Sequence, residues 1–247
     1  TARCERGQLF GWREQGRGLH GAQAELVRVP LADGTLFPVG AELPAEAALL
    51  LADVMPTGWH GATLAESGPG RVTAVVGCGP VGLMAVLAAR ELGAGQVLAV
   101  DAVPERLALA GRYGARMAAP GAEAVDVVRG MTDGRGADGV VEAVGSAVAG
   151  RLAFDLVRPG GTIATVGVHH EAGMPFSPVE AYDRNLTWRI GRCPARHYGE
   201  PLLPVARRRA AELAALFTHR LPLDAGAEAY RLFDEKRDGC IKVALVP

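Results

Sequence analysis

The sequence predicts an α/β fold built on a six-stranded, doubly wound parallel sheet. Three observations predict it. From Arg71 to about Gly191, short β-rich runs alternate with helical patterns, which is how stacked βα units on a parallel sheet read. A GxGxxG turn, Gly77, Gly79 and Gly82, joins the first run to the first helical pattern. A carboxylate, Asp101, closes the second run 19 residues after Gly82.

Taken in order, the chain opens with loop chemistry, a short strand expected at Ala24–Val29, and an Ala/Leu-rich stretch from Pro44 to Leu51. The six strands of the sheet are expected at Val72–Val76, Val97–Val100, Arg116–Ala118, Gly139–Ala143, Thr162–Val166 and Leu186–Ile190. Between the first two, Leu83, Met84, Leu87, Ala88 and Leu92 recur at helical spacing while Arg90 and Glu91 are left for solvent. Pro104 opens the next helix, because the first turn does not need its missing N–H, and Gly114 closes it. Beyond Cys193 two helices are expected near Pro204–Thr218 and Ala225–Lys236, then a final strand at Ile241–Val246. The Arg207-Arg208-Arg209 run reads as the wet face of a helix.

Composition narrows the function classes. With 49% hydrophobic residues the chain can bury a substantial core, and its 33 glycines and 16 prolines lie between periodic segments, as turns do. A net charge of −1, from 26 basic and 27 acidic residues, leaves no footprint for nucleic acid or an anionic membrane. No apolar run approaches the roughly 20 residues of a membrane helix, so a cytoplasmic protein acting on small molecules is expected. Four cysteines without a CxxC pair argue against a disulfide framework and a self-contained zinc finger.

The strongest chemical signal is VVGCGPVG. Gly77 permits the tight turn, Gly79 lets backbone approach a pyrophosphate, Gly82 lets helix and strand pack closely, and the helix N-terminus that Pro80 and Val81 begin attracts negative charge. Asp101 is placed to accept hydrogen bonds from ribose hydroxyls, and its charge would repel the 2′-phosphate of NADP, so NAD is the expected cofactor. Arg106 reaches the same ribose or is a solvated helix residue. Cys78, inside the loop, is assigned to packing.

These residues resemble the medium-chain dehydrogenase/reductase superfamily, specifically its zinc-dependent alcohol dehydrogenase branch. The similarity runs through Gly21–Pro30, Leu49–Ala62, the phosphate loop, VDAVPERLALA, VRPGGTIATVGV and the carboxyl-terminal THRLPLDAGAEAYRLFDEKRDGCIKVAL. The LADVMPTGWHG stretch looks closest to the glutathione-independent formaldehyde dehydrogenase-like enzymes. The resemblance implies the remainder of a GroES-like catalytic domain around a Rossmann domain, divided as 1–54, 55–194 and 195–247. It implies that Asp53 is a ligand of catalytic zinc and that Thr57 and His60 line the nicotinamide end of the cleft, His60 as a proton relay. It also implies that the Val166-Gly167-Val168 backbone meets the nicotinamide carboxamide, that Val144 is a cofactor-binding residue and that Lys242 meets the pyrophosphate. A homo-oligomer is expected.

The pattern breaks in two places. The family's other catalytic zinc ligands, a Cys and a His-Glu pair, would fall upstream of Thr1, so a fragment is expected. The family's structural zinc loop aligns Cys4 with its third thiolate but puts Thr1 and Trp12 on two others, and neither supplies a thiolate. Structural zinc is therefore not expected. The reading is NAD-dependent interconversion of a small alcohol and aldehyde with zinc at the substrate oxygen. A non-catalytic NAD-binding protein and a zinc-free reductase of the same superfamily stay open.

Overall fold

A computed structural model describes residues 8–14 and 16–247. It divides into two compact units, Val54–Cys193 and a second made of the residues up to Asp53 together with Pro194–Pro247.

The discontinuous unit opens with a two-stranded antiparallel ladder, β1 (Arg13–Glu14) and β2 (Arg17–Gly18), then a helical turn, α1 (Ala32–Thr35), and helix α2 (Ala45–Ala52). The central unit contains α3 (Val54–Leu64), β3 (Val72–Val76), α4 (Pro80–Glu91), β4 (Gln96–Val100), α5 (Pro104–Arg112) and β5 (Arg116–Ala118). It continues through α6 (Ala122–Gly130), β6 (Ala137–Glu142), α7 (Ala147–Leu156), β7 (Val157–Thr165), α8 (Pro178–Asp183) and β8 (Thr187–Ile190). The chain then returns to the first unit as α9 (Ala195–Arg208), α10 (Ala210–Ala214), β9 (Phe217–Pro222), α11 (Gly226–Asp234) and β10 (Lys242–Val246), with β9 and β10 pairing in parallel.

In the central unit the expected sheet is present: six parallel strands in the order β5-β4-β3-β6-β7-β8. The order reverses at β3, with β4 and β5 on one side and β6, β7 and β8 on the other, so a crevice opens at the carboxyl ends of β3 and β6. Every residue of β3 is buried, as a strand covered on both faces requires. Helix α4 buries Gly82 to Ala89 without interruption, and each large apolar side chain sealed this way contributes about 1.5–3 kcal/mol. Glycines set how closely α3 lies: a Cβ on Gly58 would come within 2.5 Å of the Ala85 amide of α4, and one on Gly61 within 2.8 Å of Val141. None of the helices among the described residues is long and apolar enough to cross a membrane.

Some expectations are corrected. Ala24–Val29 is not a strand; its residues are bends and loop, nearly all exposed, and no other strand pairs with them among the described residues. A run of β-forming residues does not make a strand without a ladder partner for its backbone. The helix expected at Pro204–Thr218 begins nine residues earlier, at Ala195, and runs through Pro201 and Pro204. Its inward residues Gly199, Leu202 and Ala206 are buried, and that packing outweighs the two missing N–H donors. Phe217 and Thr218, expected at its end, belong to β9. The three arginines are on the surface as expected, Arg207 paired with Glu42 at 2.8 Å and Arg209 with Glu212 at 2.8 Å.

At the amino end of the sheet, Asp138 joins three strands. Its Oδ2 accepts from the Val72 amide at 2.9 Å and its Oδ1 from Arg158 Nε at 2.7 Å. Burial pushes this carboxyl up, but the Val72 amide and the Arg158 guanidinium outweigh burial and leave it below its ordinary 3.8. A depressed carboxylate stabilises the fold above its unfolded value and loses that contribution as pH falls through the folded one. Asp138→Asn is expected to lower stability by about 1–3 kcal/mol at pH 7 and by much less at pH 3. Urea unfolding at both values checks this, and equal deficits at the two would contradict it.

Candidate functional site

The loop after β3 is shaped by backbone constraints that only glycine meets. Gly77 has φ +89°, a left-handed conformation that disfavours any Cβ. A Cβ on Gly82 would overlap the Gly77 carbonyl oxygen, so α4 starts directly over the turn. Gly79 is different. It caps α4 with φ −64° and ψ −177°, values open to any residue, and a Cβ there would meet nothing nearer than Arg106 Nη1 at 3.8 Å. The fold does not need glycine at this position. The open face in front of it, at a helix start whose first-turn N–H groups have no intrahelical acceptors, is a cradle for an anion.

Asp101 ends β4 and is 9% exposed. Its Oδ2 accepts from the Cys78 amide at 2.6 Å and its Oδ1 from the Val103 amide at 2.8 Å. The carboxylate therefore holds the phosphate loop to the start of α5, and each oxygen keeps a lone pair for a further donor. Arg106, one turn into α5, extends toward Gly79, and its Nε is buried with no hydrogen-bond partner among the described residues. A buried guanidinium N–H without an acceptor costs free energy, and the Arg106 atom that faces Gly79 is Nη1. Cys78 is fully buried, and burial, aided by Asp101, pushes its thiol up to about 12; it packs and does not react.

The other side of the crevice comes from β6 and β7. Val144 and Val168 are 52% and 69% exposed. A Cβ on Gly77 would overlap the Val144 side chain, and one on Gly167 would collide with the Gly145 amide. Gly77, Val144, Gly145 and Gly167 thus form one continuous line of contact. Thr57 and His60 are half-buried on α3 in the same unit, and burial holds His60 below its usual 6.5, so it is neutral at neutral pH.

Two expected site residues belong to the discontinuous unit. Asp53 is exposed at the carboxyl end of α2. Lys242 begins β10, where burial lowers its pKa and the Asp53 carboxylate partly restores it. Among the described residues no three His, Cys, Asp or Glu side chains gather to hold a metal ion. Thr1 and Cys4, of the expected structural zinc loop, lie outside the described residues; Trp12 is 61% exposed.

Sequence reasoning missed Glu142 and His169. Glu142 ends β6 with no exposure, its Oε1 accepting from the Val144 and Gly145 amides, each at 2.7 Å, and its Oε2 3.0 Å from His169 Nε2. The available signal was a charged residue closing the apolar run GVVE, where burial demands partners.

Residues 80–202 match the family model described as zinc-binding dehydrogenase. The chain is 40% identical over 243 residues to the zinc-type alcohol dehydrogenase B of Aspergillus flavus, covering 95% of this chain and 56% of that protein. It is 33% identical to the NADP-dependent isopropanol dehydrogenase of Thermoanaerobacter brockii, covering 97% of this chain and 70% of that one. Among solved structures, an alcohol dehydrogenase from Thermus sp. ATN1 superposes with a TM-score of 0.91 at 38% identity, over 98% of this chain and 72% of that chain. The chain spans little more than half the length of the first of these relatives.

The contrast between Gly79 and Gly82 is testable. Gly79→Val is expected to leave the melting temperature nearly unchanged while weakening dinucleotide binding about tenfold or more, because its Cβ fills only the ligand's space. Gly82→Ala is expected to destabilise the fold itself. Thermal melts beside NADH titrations check both; a Gly79→Val variant that binds NADH normally would contradict the cradle.

Proposed function

Because the chain belongs to the zinc-type alcohol dehydrogenases of the medium-chain dehydrogenase/reductase superfamily, we propose that it is the NAD(H)-binding part of an enzyme that moves a hydride between a small alcohol or aldehyde and nicotinamide. The observation that carries this reading is the open backbone face at Gly79, flanked by the Asp101 carboxylate and the Arg106 guanidinium, whose Nη1 lies nearest that face. Bound nicotinamide supplies the hydride acceptor or donor. The chain's own residues supply the rest: the α4 start and Arg106 receive the pyrophosphate and ribose oxygens, and Asp101 orients the adenosine ribose. Val144, Gly167 and Val168 bound the nicotinamide end. His60, kept neutral by burial, is suited to accept a proton, with Thr57 on the same helix as a hydroxyl donor.

The donor set described does not make a zinc site. Asp53 would be one oxygen ligand, and a catalytic zinc takes three protein ligands; Asp53 is assigned as a contributor to a site whose other ligands are not among the described residues. Lys242, with a pKa lowered by burial, is assigned to the dinucleotide phosphates. The division of the chain fits a Rossmann domain at 55–194 flanked by parts of a GroES-like domain. The buried Cys78 thiol is unoxidised, which suits a cytoplasmic setting, and the edge strand β8 suits a homo-oligomer.

NAD is favoured over NADP by the charge at Asp101. NADH is expected to bind at least tenfold more tightly than NADPH. Asp101→Asn, which loses the charge and keeps an acceptor oxygen for only one of the two backbone amides, is expected to narrow that preference by about tenfold, or ~1.4 kcal/mol, on top of any loss common to both cofactors. Parallel fluorescence titrations decide it, and a wild-type chain that prefers NADPH would overturn the assignment.

A further inference from the structure

We infer that Glu142 is a positioning residue for the nicotinamide half of the dinucleotide, acting through two loop amides and His169 without touching the ligand; this rests on the dinucleotide reading above. A carboxylate with no exposure is costly to bury unless its lone pairs are met, and here they are met by groups of two loops. The side chain takes the Val144 and Gly145 amides of the turn after β6 and faces His169 Nε2 of the segment after β7. The backbone oxygen of the same residue accepts from the Val166 amide at 2.9 Å and the Gly167 amide at 3.1 Å. One residue thus fixes both loops at the carboxyl ends of neighbouring strands.

Those loops carry the two exposed valines, Val144 and Val168, on either side of a glycine contact with no room for a Cβ: one on Gly145 would overlap the Val168 carbonyl oxygen. Two apolar side chains held apart by a rigid backbone contact suit the faces of an uncharged or weakly charged ring, not a phosphate. The phosphate loop has its own anchor, Asp101, which bonds Cys78 and Val103 and none of the groups held by Glu142. The crevice therefore has two carboxylate anchors, each governing one half of the ligand. Removing Glu142 should free the nicotinamide loops and leave the adenosine end intact.

The test compares NADH with ADP-ribose, which lacks the nicotinamide, on the 247-residue chain. Glu142→Ala is expected to weaken NADH about tenfold or more, through loss of charge-assisted bonds, and to abolish the enhanced nicotinamide fluorescence of the complex. ADP-ribose affinity should stay within about twofold. Glu142→Gln should restore most NADH binding, because its amide oxygen accepts from the two backbone N–H groups and its NH2 donates to the imidazole. His169→Phe, on a loop and compatible with folding, should show the same split in smaller measure and carries the test if Glu142→Ala does not fold. Equal losses for both ligands, or unchanged NADH binding and fluorescence in folded variants, would overturn the role of Glu142. A wild-type chain that binds neither ligand would remove the dinucleotide reading itself.

Discussion

The approach of Gly82 to the carbonyl oxygen of Gly77, closer than any side chain permits, governs the central unit. It seats α4 at the end of β3, and the rest of the crevice is referenced to that position. With α4 there, its first-turn N–H groups point past Gly79 into open space, Arg106 of α5 reaches the same face, and Asp101 closes on the Cys78 amide at 2.6 Å. Larger residues at 77 or 82 would move the helix by ångströms, and an anion cradle made of backbone groups does not survive such a shift. Gly58 and Gly61 act in the same way on α3, bringing Thr57 and His60 close to α4 and β6.

Buried carboxylates at strand ends hold the sheet's two edges. Asp101 and Glu142 lie at the carboxyl ends of β4 and β6, and Asp138 lies near the start of β6. Each accepts backbone N–H donors from a neighbouring segment. An unpartnered carboxylate in this interior would be strongly unfavourable, and this penalty makes the partners specific: any displacement of a loop leaves a buried charge exposed to no donor. The loops at the carboxyl ends of β4 and β6 are thus tied down by hydrogen bonds where they lack regular secondary structure.

The central sheet was readable because parallel strands buried on both faces must be largely apolar runs, and the runs at Val72–Val76 and Val97–Val100 are unambiguous. The discontinuous unit was less readable. Its residues near Ala24 are rich in β-formers but find no strand to pair with among the described residues, while Ala195–Arg208 forms a helix despite two prolines because one face is buried. Both outcomes are set by neighbours distant in sequence, which local propensity does not contain.

Spacing alone marked the glycine turn between β3 and α4 and the acid that closes the next strand, since the torsions of so tight a strand-to-helix turn are a requirement of local backbone geometry. Only the tertiary structure decided that Gly79 is free of the fold's own demands, that Arg106 Nε lacks an acceptor among the described residues, and that Glu142 pairs with His169 across 27 residues of chain. The reason is physical. A turn is fixed by the torsions of adjacent residues, whereas an unmet hydrogen bond or a buried charge exists only once the strands on either side have closed around it.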